Sequence, residues 1–88
     1  MYQLLIVDDQ PDLVEDLATN INWSSIGISS VFTANSANEA LDTMNMTQID
    51  IVITDIRMPG VSGLDLIDLI NASWSHVKCI LLSGYNDF

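Results

Sequence analysis

Two short apolar runs in this chain stop abruptly on aspartates, and that arrangement narrows the fold before anything else does. Tyr2 to Val7 runs into the pair Asp8 and Asp9, and Ile49 to Thr54 runs into Asp55. Short runs rich in Leu, Ile and Val read as strands buried in a parallel sheet. Val31 to Ala34 and Val77 to Leu82 read in the same way.

Helical patterns separate these runs. Pro11 opens the first, where its missing N–H costs nothing, and Leu13, Val14, Leu17, Ala18 and Ile21 recur on one face until the pattern fades around Asn22, Trp23 and Gly27. Ser36 with Glu39 three residues on has the spacing of a capping box, ahead of Ala37, Ala40, Leu41 and Met44. Ser62 with Asp65 marks a third helix start, with Leu66, Ile67 and Ile70 on its buried side. Strand and helix therefore alternate as β-α-β-α-β-α-β, and right-handed crossovers turn that order into an α/β fold, a three-layer sandwich with helices on both faces of a parallel sheet.

Composition agrees. A hydrophobic share of 49% in 88 residues provides one modest core and leaves no room for a second functional domain. No apolar stretch reaches the roughly 18 to 20 residues that cross a bilayer, and the first residues lack the basic start of a secretory signal, so a cytoplasmic location without membrane contact is expected. Cys79, the one cysteine, lies inside an apolar run and reads as a buried strand thiol of a reducing compartment. Twelve acidic residues against Arg57 and Lys78 give a net charge of -10, which repels nucleic-acid phosphates and argues against direct DNA binding by this segment.

In an open parallel sheet the functional crevice lies beyond the carboxyl ends of the strands. In the flavodoxin-like order 2-1-3-4 the first and third strands are neighbours, so Asp8, Asp9 and Asp55 would meet there. A lone strand-end aspartate is ordinarily a cap or a turn former. Three on adjacent strands, with Met58-Pro59-Gly60 just beyond, suit Mg2+, a hard cation that takes oxygen ligands and leaves positions for phosphoryl oxygens. With that charge relieved, Asp55 could attack phosphorus.

Leu5-Ile6-Val7-Asp8-Asp9, Asp50 to Gly60, and Leu81-Leu82-Ser83-Gly84-Tyr85 together resemble the acidic pair, phosphoacceptor segment and switch segment of response regulator receiver domains, over the whole chain and in order. The stretches around Asn22, Gly27 and Gly84 to Phe88 look most like the branch that precedes AraC-type DNA-binding domains. The resemblance implies a non-enzymatic signalling module whose partner is a sensor histidine kinase. It makes Asp55 the phosphoacceptor, with Asp9 a direct Mg2+ ligand, Asp8 a ligand through water and Arg57 a ligand through its backbone carbonyl. Ser83 would bond the phosphoryl group, and Gly84 would leave room for it. Receivers carry a fifth strand ending in a lysine, and a fifth helix. The sequence ends at Phe88, so residues 1–88 are expected to form an incomplete receiver that stops at the start of its fourth helix. Phosphorylation should then be impaired, because Lys78 sits at the wrong end of its strand to replace that lysine. The unpaired edge of the fourth strand and a bared sheet face should drive homodimerisation.

Two other functions compete. A haloacid dehalogenase-like phosphatase would need a second aspartate two residues after Asp55, where Arg57 stands. A receiver fragment that folds and self-associates without signalling is the stronger rival. His76 precedes the fourth strand at the end away from the acids and reads as solvated, while Met44, Met46, Trp23 and Trp74 read as packing residues.

Overall fold

A computed structural model of the chain describes residues 1–82. Its strands are β1 (Tyr2–Val7), β2 (Ile28–Ala34), β3 (Ile51–Asp55) and β4 (Lys78–Leu82), and its helices are α1 (Pro11–Asn20), α2 (Ala37–Met46) and α3 (Gly63–Ser73). All strand pairs are parallel, in the order β2-β1-β3-β4. This is the flavodoxin-like order anticipated from the sequence, with β1 and β3 as the inner strands.

The helix starts follow the local chemistry. Pro11 occupies the first turn of α1, and the Oγ atoms of Ser36 and Ser62 accept from the backbone N–H groups of Glu39 (3.1 Å) and Asp65 (3.2 Å). Glu39 reaches back one residue further than the usual box, accepting from the N–H of Asn35 rather than that of Ser36.

Strand boundaries move by a few residues. β2 starts at Ile28, not Val31, because Ser29 and Ser30 hide its first half from a reading by hydrophobicity. A short 3-10 turn, Trp23–Ile26, closes on Gly27 at φ 91°, and the Gly27 carbonyl accepts from Tyr2 N. β3 starts at Ile51 and includes Asp55. Ile49 is buried just ahead of it, and the Asp50 carboxylate there accepts from Gln3 N at 2.8 Å, tying the start of β1 to the start of β3.

The two faces of the sheet are covered unequally. Leu5, Val7, Ala34 and Val52 pack under α2 and α3 with Met44, Leu66 and Ile70. Leu4 and Ile6 pack under α1 with Val14, and Ile51 and Ile53 are only half-buried. On β4, Ile80 is 48% and Leu82 41% exposed, while Cys79 and Leu81 on the other face are half-buried, so the fourth strand is covered on one face only and there incompletely. Leu13 and Ile21, assigned to the buried face of α1, also stand partly exposed, which narrows that face to Val14, Leu17 and Ala18. Met46, expected to pack, is 86% exposed at the end of α2 because its helical position faces away from the sheet. Met44 is buried, Trp74 packs against the larger core, and the Trp23 indole N–H donates to the Leu17 carbonyl at 2.9 Å.

Candidate metal centre

β1 and β3 run side by side in register from Leu4 opposite Ile51 to Val7 opposite Thr54, so the next residues, Asp8 and Asp55, emerge together at the same end of the sheet. Asp8, Asp9 and Asp55 each offer a carboxylate oxygen, and these atoms lie within 4.8 Å of one another. Asp8 is buried, Asp55 half-buried and Asp9 exposed, so the cluster has a closed inner wall and an open mouth.

Backbone and amide groups hold Asp8 in place. Its N–H donates to the Ala34 carbonyl at 3.1 Å, its carbonyl accepts from the Asn35 side-chain amide at 3.1 Å, and its Oδ1 accepts from Gln10 N at 3.0 Å. Burial pushes the Asp8 carboxyl above its ordinary range. The neighbouring charges of Asp55 and Asp9 push the same way, and the Gln10 N–H opposes them.

The donor set fits Mg2+: every contributed atom is a carboxylate oxygen, no imidazole or thiol joins the cluster among the described residues, and the open side leaves room for water. Beside the cluster an open hollow of about 460 Å³ is lined by Asp9, Ile56, Arg57, Met58, Pro59 and Ser62, so Arg57 and Asp9 share one concavity. Met58 is buried and anchors the loop that carries Arg57.

The raised Asp8 titration sets a direction for stability. A carboxyl whose folded pKa lies above its unfolded value of 3.8 contributes stability below that value and loses it as pH rises through the folded pKa. The metal-free chain is therefore expected to lose thermal stability as pH climbs from about 3.8 toward neutrality through this group. Mg2+ should raise Tm more at pH 7 than at pH 4, as read by calorimetry. An Mg2+ effect independent of pH would contradict the crowded-acid description.

Of the other residues singled out, Lys78 pairs with Ile51 at the opposite end of β3 from Asp55. Four residues of strand, about 13 Å, separate it from Leu82, the partner of Asp55. His76 is exposed and lines a separate hollow with Met44, Met46 and Trp74, away from the acids. Cys79 is half-buried, and burial raises its thiol pKa, which keeps it protonated. Ser83 and Gly84 lie outside the described residues. One contributor escaped the sequence reading: Asn35 carries no signal beyond its place after a strand.

Comparison with known proteins gives a consistent picture. Residues 4–88 match the model of the response regulator receiver domain. The chain is 39% identical over 88 residues to YesN, an uncharacterized transcriptional regulatory protein of Bacillus subtilis strain 168, and 38% identical over 90 residues to the transcriptional regulatory protein HptR of Staphylococcus aureus. Both matches cover the whole of this chain but only 24% and 34% of those proteins, so it spans about a quarter to a third of their length. Among solved structures, it superimposes with a TM-score of 0.91 at 30% identity on a two-component transcriptional regulator AraC from Clostridium phytofermentans, covering 99% of this chain and 67% of that one. The response regulator TrrA from Thermotoga maritima, solved in complex with Mg2+ and BeF, gives a TM-score of 0.83 at 36% identity, covering 98% and 72%. With four parallel strands in the order β2-β1-β3-β4 and a family match across nearly its entire length, this chain belongs to the response regulator receiver domain family.

Proposed function

We propose that this receiver takes a phosphoryl group on Asp55 from a sensor histidine kinase, with Asp8, Asp9, Asp55 and the backbone carbonyl of Arg57 holding Mg2+. The observation that carries this reading is the convergence within 4.8 Å of three carboxylates from two separate strand ends. A carboxylate oxygen of Asp55 attacks phosphorus, the new O–P bond forms as the P–N bond to the donor imidazole breaks, and the departing nitrogen keeps the electron pair. Bound Mg2+ supplies positive charge that offsets the carboxylates and the incoming phosphoryl oxygens. Asp8, fixed by Gln10, Ala34 and Asn35, orients the acidic pair. The hydroxyl of Ser83 bonds the phosphoryl group, and Gly84 leaves it space. Incubation with Mg2+ and acetyl phosphate, or with beryllofluoride, followed by intact mass and NMR, tests the proposal. A chain that neither gains a phosphoryl group nor responds to beryllofluoride sinks it and favours a non-signalling module.

The exposed flank of β4 supports a second element of the proposal. Ile80 and Leu82 are apolar and open, and β4 has a neighbour on one side only among the described residues. An edge of this kind pairs readily with another strand, most simply across a two-fold axis. Light scattering after size exclusion is expected to give about twice the 9.7 kDa chain mass, and a stable monomer at all concentrations would refute it.

No described helix is long and apolar enough to cross a membrane. The charge of -10 disfavours nucleic acid at this segment. In a longer protein, phosphorylation would shift a two-state equilibrium that governs a transcriptional output, as the names of the relatives suggest.

A further inference from the structure

Gly63 opens α3 directly behind the site, and the reason for a glycine there is space rather than backbone conformation. Among the described residues the positive-φ glycines are Gly27 and Gly60, not Gly63. A Cβ at position 60 would meet nothing within 4 Å. A Cβ at position 63 would overlap the carbonyl oxygen of Asp55, with the Asp55 carbonyl carbon at 2.8 Å and the Ile56 Cα at 3.1 Å. All three are backbone atoms, so no side chain can swing aside to relieve the clash. Gly63 N also donates to the Ile56 carbonyl at 2.8 Å, closing the loop from Ile56 to Ser62 into a ring.

We infer that Gly63 is a positioning residue: its bare Cα lets α3 sit on the backbone of Asp55 and Ile56, and this seat fixes the Asp55 carboxylate and the Arg57 carbonyl relative to Asp8 and Asp9. The inference rests on the proposed metal site and adds the element that holds its two β3-side ligands. Any side chain at 63 must drive helix and strand end apart by on the order of 1 Å. Mg2+ takes oxygens at about 2.0 to 2.1 Å in near-octahedral geometry and tolerates little drift. A misplacement of about 1 Å can cost around a hundredfold in a step that depends on alignment.

Gly63→Ala is compared with Ile70→Val, which trims a fully buried side chain further along the same helix and lies outside the site. Urea denaturation gives stability, and NMR titration of the isotope-labelled chain gives Mg2+ affinity. Gly63→Ala is expected to weaken Mg2+ binding by about tenfold or more, while Ile70→Val loses stability and keeps its affinity within about twofold. A merely structural glycine would lower stability in both variants and affinity in neither. Should Gly63→Ala not fold, Ser62→Ala carries the test, since losing the cap to Asp65 N loosens the same helix start for only about 1 kcal/mol. An affinity loss of about threefold or more there, absent in Ile70→Val, supports the inference, and equal affinities overturn it. An unaltered chain that binds no Mg2+ removes the metal site and this inference with it. An unaltered chain that binds, beside a folded Gly63→Ala that binds equally well, overturns the inference alone.

Discussion

Asp55→Asn is expected to remove all labelling by acetyl phosphate while leaving the fold intact and its metal-free stability equal or higher. The loss is complete because the amide nitrogen replaces one carboxylate oxygen and leaves no anionic nucleophile at the end of β3. The stability gain has a separate cause. Asp55 is one of the charges that raise the Asp8 carboxyl, so removing it leaves the buried Asp8 facing one anionic neighbour fewer. Near neutral pH, where that penalty is fully expressed, thermal unfolding of Asp55→Asn should begin no earlier than that of the unaltered chain. With Mg2+ present the order should reverse, since the substituted chain has lost a ligand. Intact mass measures the first effect, and calorimetry with and without Mg2+ the second. Labelling that persists in Asp55→Asn would place the phosphoacceptor elsewhere, and a clear drop in metal-free Tm would show that the three acids do not repel one another.

Leu5→Ala should come close to unfolding the domain. Leu5 is fully buried in the larger core cluster, on the inner strand β1. Cutting a buried leucine to alanine costs about 2 to 5 kcal/mol through lost transfer energy and the cavity left behind. A domain of this size has about 4 to 13 kcal/mol in total, so the loss takes a large share of it. Leu13→Ala is the natural control. Leu13 is apolar too, but 42% exposed on α1, and its loss should cost within about 1 kcal/mol. Urea titration followed by the fluorescence of Trp23 and Trp74 reads both. Equal midpoints for the two variants would mean that the core is not organised around β1 as described.

How much was legible beforehand depends on the range over which each signal acts. The helix starts at Pro11, Ser36 and Ser62 were readable because capping involves residues three apart, and all three lie where the sequence placed them. β1 was readable because Leu4 to Val7 is apolar on both faces, as an inner strand requires. The start of β2 was not, because Ser29 and Ser30 lie on an edge strand where polar residues carry no penalty. Nor could periodicity distinguish Leu13, Ile21 and Met46 from Val14 and Met44. Helical spacing reports which residues share a face, and only the neighbouring elements decide whether that face is covered.

The same division runs through the site. By itself the sequence determined that aspartates end two apolar strands and that the chain alternates strand with helix, since both are local properties of residue order. Only the tertiary structure decided that Asp8, Asp9 and Asp55 meet within 4.8 Å, that Gln10, Ala34 and Asn35 hold Asp8, and that Gly63 must lack a side chain. Those outcomes arise from contacts between segments far apart along the chain. Their distances are set by strand register and helix packing, which no short stretch of residues encodes alone.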